Sequence, residues 1–60
     1  MQKRFTTAKG KEITVKVEKN RYYVKHTDIS PKFVTADVAL NNWIMTREEK
    51  EFINKALEEL

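Results

Sequence analysis

The chain has 60 residues, no cysteine and a single histidine, and its formal net charge at pH 7 is +3. A chain this short has a small core, because folding at this size buries only about 60% of the surface of the unfolded chain, and without cysteine neither disulfides nor thiolate metal sites support it. Its longest apolar run, Trp43-Ile44-Met45, is too short for a membrane-spanning helix or a secretion signal. We therefore expect a single domain over residues 1–60 that is cytoplasmic and does not enter a membrane.

Charge divides the chain into two parts. Residues 1–32 carry nine Lys and Arg against three acids, a net charge of +6, whereas residues 33–60 carry three against six, a net charge of −3. The basic part has the patterns of β-strands and the acidic part has those of helices. A domain divided in this way presents a basic surface that favours anionic partners.

Two strands are predicted at the start of the basic part. The first, over about residues 3–8, is followed by a turn at Gly10, where the only glycine of the chain allows a positive φ. The second, residues 12–18, alternates strictly between apolar and polar side chains. This alternation is typical of a strand with one buried and one solvated face.

A third strand is predicted over residues 21–26. It follows Lys19-Asn20, which indicates a two-residue hairpin turn because asparagine tolerates the left-handed backbone region. Alternation then places Tyr22 on the buried face of the sheet and Tyr23 on the solvated face.

The segment after the third strand breaks this pattern. Pro31 cannot donate a ladder hydrogen bond and restricts the residue before it, so residues 27–31 predict a connection or a strand edge. Residues 33–45 are ambiguous, since their first half alternates as a strand does and their second half has helical spacing. We predict a short helix over about residues 36–44.

The C-terminal segment has the clearest helical signal. Thr46-Arg47-Glu48-Glu49 has the pattern of a capping box, in which the Thr and Glu side chains each satisfy a backbone N–H of the other residue. One apolar stripe follows it, formed by Phe52, Ile53, Ala56, Leu57 and Leu60. We predict a helix over residues 47–59.

Together these elements predict an α+β fold, in which a three-stranded antiparallel β-meander packs against a C-terminal helix with a short helix before it. The sheet face expected to cover the helix consists of Ile13, Val15, Val17, Tyr22 and Val24. At the border of this core we expect Phe5, Phe33, Leu40 and Trp43.

Few residues have the types and spacings that catalysis requires. One glycine excludes the phosphate-binding loops that need two or more. His26 and Asp28 lie two residues apart, and the simpler interpretation is that His26 closes a strand and Asp28 caps a turn. The acids Glu48, Glu49 and Glu51 suit the positive end of a helix dipole and need no metal to explain them. We predict a non-enzymatic protein without catalytic residues, cofactor or metal.

The outward face of the sheet is the best candidate for a functional surface. Its predicted nucleic-acid-binding residues are Lys16, Arg21, Tyr23 and Lys25, with Lys9 and Lys11 on the first turn. Cations around an exposed tyrosine suit phosphate contacts and base stacking, and antiparallel strands also fit a major groove as a ribbon. The alternative is an ordinary solvated face whose lysines prevent aggregation, and Glu18 interrupts the basic patch.

Two classes of function fit these observations. The first is a small nucleic-acid-binding or regulatory module that uses the basic sheet face to bind DNA or RNA. The second is a protein–protein interaction module, such as an adaptor, an inhibitor or a homodimerising subunit. Its motivation is a set of apolar residues near a connection, where an exposed apolar patch usually marks a partner: Phe33, Trp43, Ile44 and Met45.

Overall fold

A four-stranded antiparallel sheet and two helices make up the protein. The computed structural model describes residues 1–60. The strands are β1 (Gln2–Thr6), β2 (Glu12–Glu18), β3 (Arg21–His26) and β4 (Ser30–Thr35), which lie in the sheet in this order. They are followed by the helices α1 (Ala36–Asn42) and α2 (Arg47–Glu59). The predicted α+β class is confirmed. Neither helix combines the length and the apolar character that crossing a bilayer requires.

The prediction of a three-stranded sheet is wrong, because residues 30–35 form a fourth strand. β4 pairs antiparallel with β3. Val34 lies opposite Val24 and Ser30 lies opposite His26, and the register shifts between these two pairs. Pro31 is compatible with this strand because β4 lies at the edge of the sheet, where one side of the backbone needs no ladder partner.

β1 ends two residues earlier than the predicted strand over residues 3–8. It ends at Thr6 because Thr7 begins a turn, in which the Thr7 carbonyl accepts from the Gly10 N–H at 2.9 Å and the Thr7 hydroxyl oxygen accepts from the Lys11 N–H at 3.1 Å. Gly10 has a φ of +82°, a conformation that glycine adopts without steric cost.

β2 and β3 have the predicted bounds and form a tight hairpin. Glu18 lies opposite Arg21, so the two residues between them are the whole loop. Lys19 and Asn20 have φ values of 51° and 66°. A pair of left-handed residues is what a two-residue turn needs in order to follow the twist of its strands.

The two helices begin where the sequence predicts, and α1 ends earlier. α2 has the complete capping box, with the Glu49 N–H donating to the Thr46 hydroxyl oxygen at 3.3 Å and the Thr46 N–H donating to Glu49 Oε1 at 2.8 Å. α1 ends at Asn42 rather than at residue 44, because Trp43 has an extended backbone with a ψ of 139°.

One hydrophobic core lies between the sheet and both helices. It consists of Ile13, Val15 and Val24 from the sheet, Ala36 and Ala39 from α1, and Ile53 and Ala56 from α2. All three sheet residues point to the same face, because Val15 lies opposite Val24 and Ile13 is two residues from Val15. Both helices therefore cover one face of the sheet and leave the other face open.

The β2–β3 turn provides a test of the fold. Lysine at position 19 is held in a left-handed conformation, which costs a residue other than glycine or asparagine about 1–2 kcal/mol. We expect Lys19→Asn to raise the free energy of unfolding by about 1 kcal/mol, as measured by urea denaturation. The matched control is Lys9→Asn, which removes the same charge from a turn residue without positive φ and should leave stability unchanged. An equal effect of both variants would contradict the assignment of strain to Lys19.

Candidate functional site

The open face of the sheet carries the side chains that sequence alternation predicts. Tyr22 packs against the hydrophobic core, and Tyr23 lies opposite Lys16 on the other face. Lys25 is two residues further along β3 and points the same way. The predicted register of the hairpin is therefore confirmed, and Lys16, Tyr23 and Lys25 share one surface.

Two ammonium groups and two aromatic rings meet on this surface. The Lys16 Nζ atom lies 4.2 Å from the centroid of the Phe33 ring and 5.6 Å from that of Tyr23. The Lys25 Nζ atom lies 5.0 Å from the Phe33 centroid. We call Lys16, Tyr23, Lys25 and Phe33 the cation–aromatic cluster. All four residues are partly buried, and each cation–π contact of this kind contributes on the order of 1 kcal/mol.

Phe33 is the member of this cluster that the sequence analysis placed wrongly. It was expected at the border of the core, but its neighbour Val34 is the residue that packs against the core. Because side chains alternate along β4, Phe33 then points to the open face. The strand-like alternation that begins at Val34 is the sequence signal for this orientation, but the prediction of a helix from residue 36 did not use it to extend the sheet.

The cluster has further cations and two acids around it. Arg4 lies opposite Thr14 on the open face, and Thr14 itself is only 2% exposed. Arg21 begins β3 opposite Glu18, and the Glu18 carboxylate is 3.4 Å from the Lys16 ammonium. Ile13 lies in the core opposite Phe5. Because side chains alternate along β2, the preceding residue Glu12 points to the open face as well. The face thus carries four cations, Arg4, Lys16, Arg21 and Lys25, against the two acids Glu12 and Glu18.

Lys9 and Lys11 do not belong to this surface. They line a separate open groove of about 510 Å³ together with His26 and Glu49. The other lining residues come from the β1–β2 turn, the β3–β4 turn, the connection between α1 and α2, and the start of α2. His26 and Glu49 are buried on the helix side of the sheet, so the groove opens at that side. Lys11 also forms an ion pair with Asp28. Two of the six predicted site residues are therefore separated from the other four.

His26 joins the sheet to α2 by a buried polar contact. Its Nε2 atom lies 2.6 Å from the Oε2 atom of Glu49, and its Nδ1 atom accepts from the backbone N–H groups of Asp28 at 3.1 Å and Ile29 at 3.3 Å. Because a backbone N–H only donates, Nδ1 carries no proton, and the ring proton is on Nε2 and is donated to Glu49. Both ring nitrogens therefore have hydrogen-bond partners within the protein.

Asp28 and the acids of α2 have structural contacts. The Asp28 carboxylate pairs with the Lys11 ammonium rather than with a turn N–H, so the prediction that Asp28 caps the turn is wrong. Glu51 pairs with Arg47 at 2.9 Å. No three His, Asp or Glu side chains converge in a way that would hold a metal ion.

Glu49 accepts hydrogen bonds at both of its oxygens. Burial raises the pKa of this carboxyl group, but the hydrogen bonds from the Thr46 backbone, from His26 and from the Thr46 hydroxyl outweigh it, so that the pKa lies below its ordinary value of 4.5. The ionised form is therefore the one that the fold stabilises. The capping box indicated the contact with Thr46, whereas nothing local indicated the contact with His26, which is 23 residues away.

We expect Glu49→Gln to destabilise the protein at pH 7 by about 2 kcal/mol, since a charged acceptor of three hydrogen bonds is lost. The lowered pKa means that ionised Glu49 stabilises the fold above pH 4.5, and this contribution is lost as the pH falls below 4.5 towards the folded-state pKa. Urea denaturation between pH 7 and pH 3 should accordingly show a smaller acid-induced loss of stability in the variant than in the wild type.

The control for this experiment is Glu48→Gln, which neutralises the exposed neighbouring carboxylate. It should leave the acid dependence unchanged. Glu59, whose pKa is lowered by a hydrogen bond from the Lys3 ammonium, is present in both variants and accounts for part of the acid dependence that remains. Identical pH profiles for Glu49→Gln and the wild type would contradict the assigned role of Glu49.

The comparisons with known proteins give no relative from which a function can be transferred. No protein-family model, no curated protein and no solved structure matches this chain. A function for the open face has to be argued from its own chemistry.

Proposed function

We propose that this protein binds nucleic acid through the open face of its sheet and is a non-enzymatic binding module. The observation that supports this proposal best is the cation–aromatic cluster, in which two rings and two ammonium groups lie together on a face that neither helix covers. Ammonium and guanidinium groups suit phosphate oxygens, and aromatic rings suit bases. The cluster supplies both on one surface.

A purely solvated face explains less of what is observed. Lysines that serve only solubility extend into water and need no aromatic neighbour. Here the Lys16 and Lys25 ammonium groups lie over the ring of Phe33, an apolar residue that solubility does not favour on an open sheet face. A ring with cations in contact with it has the composition of a site that contacts a base and its phosphates.

The first test is the salt dependence of binding. Each phosphate contact on a single strand contributes a slope of about −0.7 to the plot of log K against log salt concentration. We expect the double variant Lys16→Ala/Lys25→Ala to bind more weakly and to reduce the magnitude of this slope by about 1.4. The measurement is fluorescence anisotropy with labelled oligonucleotides in a salt series. Lys50→Ala, which removes an exposed cation from α2 on the opposite side, is the matched control and should leave the slope unchanged.

Glu18→Gln provides the opposite perturbation of the same surface. It removes the carboxylate next to Lys16, so the affinity for an oligonucleotide should increase. An absence of binding to single-stranded or duplex DNA and RNA at low salt, with tens of micromolar protein, would refute the proposed function. So would equal losses in Lys50→Ala and in the double variant.

A protein-interaction function is the second candidate, and Ile44 is the observation that favours it. Its side chain is 96% exposed in the connection between α1 and α2, whereas its neighbours Trp43 and Met45 pack against the core. If this exposed isoleucine joins two copies of the chain, sedimentation equilibrium should give the mass of a dimer for the wild type and that of a monomer for Ile44→Ser. A monomeric wild type at high micromolar concentration would rule out the homodimer.

A further inference from the structure

We infer that the nucleic acid is single-stranded and that its bases stack on Phe33 and Tyr23. This inference rests on the proposed function and makes it more specific. It follows from the width of the sheet, from the chemistry of Phe33 and from the position of Lys16 over both rings.

The width of the sheet argues against reading a duplex groove. The four strands are all hydrogen-bonded in one sheet, and three spacings of about 4.8 Å separate the outer strands by roughly 14 Å. The major groove of B-form DNA is about 12 Å wide and admits a two-stranded ribbon. Because β1 and β4 flank the hairpin of β2 and β3, that hairpin cannot enter the groove alone. The ribbon geometry considered from the sequence therefore does not fit the four-stranded sheet.

The chemistry of Phe33 argues for base stacking. Its side chain has neither a hydrogen-bond donor nor an acceptor, so it cannot read the polar edges of bases. It can only offer a ring face, and in a duplex the base faces are stacked on one another. In a single strand the faces are accessible, and stacking on an aromatic side chain is favourable for every base.

The two rings are placed for neighbouring bases. Thr35 lies opposite Tyr23, so Phe33, two residues before Thr35, is a diagonal neighbour of Tyr23 on the adjacent strand. Such diagonal neighbours lie about 7–8 Å apart. One flexible strand that crosses β3 and β4 therefore meets both rings in succession.

In the free protein the Lys16 ammonium covers both ring faces, and on binding a base can replace it there. The ammonium lies within 4.2 Å of one ring centroid and 5.6 Å of the other, which shields an apolar surface from water. The lysine side chain is a flexible four-carbon stem. When a base takes the ring face, the ammonium moves aside and pairs with the adjoining phosphate.

The experiment measures binding by fluorescence anisotropy at low salt with four probes of matched length. Two are single strands, an eight-nucleotide oligothymidylate and an oligoriboadenylate. The other two are an abasic strand with the same phosphates and a duplex of mixed sequence. We expect both single strands to bind at least tenfold more tightly than the abasic strand and the duplex. Phe33→Leu, which keeps an apolar side chain without a ring, should weaken single-strand binding about tenfold and leave duplex binding unchanged.

Phe33→Trp is the matched variant that retains a stacking ring. It should bind single strands as tightly as the wild type, and its new indole should lose fluorescence as bases stack on it. The emission of Trp43, which packs against the core on the opposite side of the sheet, measures the background in the wild type and shows whether Phe33→Leu is folded.

The outcomes separate this inference from the function on which it rests. If the duplex or the abasic strand binds as tightly as the single strands, or if folded Phe33→Leu binds single strands like the wild type, stacking is refuted while nucleic-acid binding stands. If none of the four probes binds, the proposed function itself is refuted. Tight single-strand binding that needs an aromatic residue at position 33 supports both.

Discussion

The alternation of apolar side chains on β2 and β3 is the constraint on which the rest of the structure depends. Ile13, Val15 and Val24 are fully buried on one face of the hairpin, and both helices pack buried apolar residues against them. Both helices pack against this one hydrophobic face. The other face of the sheet is covered by neither helix, and it carries the cation–aromatic cluster.

Local signals were sufficient for the elements that dominate the core and for part of the site. Strict alternation predicted β2 and β3, and the capping box predicted α2, because each depends on neighbouring residues only. Pairing of β4 instead depends on a long-range register with a shift, which hid the orientation of Phe33. Lys16, Tyr23 and Lys25 were placed correctly on one face by alternation. Lys9 and Lys11 were predicted on the first turn, where alternation does not apply, and they line a separate groove.

The buried contact between His26 and Glu49 connects the scaffold to the candidate site. Nδ1 of His26 accepts hydrogen bonds from two N–H groups of the turn that leads into β4. Its Nε2 atom forms a hydrogen bond with Glu49 in the first turn of α2. β4 is the strand that carries Phe33. The position of the edge strand thus depends on a polar contact that helix and strand propensities do not encode.

The distribution of ion pairs explains why the open face keeps its positive charge. Lys3 and Lys11, which lie away from the cation–aromatic cluster, are paired with Glu59 and Asp28. Arg4 and Lys25 on the open face have no acid within ion-pair distance, and Lys16 has only the 3.4 Å contact with Glu18. With the acids of α2 on the opposite side, an approaching polyanion is attracted to the sheet and repelled by the helix. The division of charge along the sequence thus becomes a difference in charge between two sides of the folded protein.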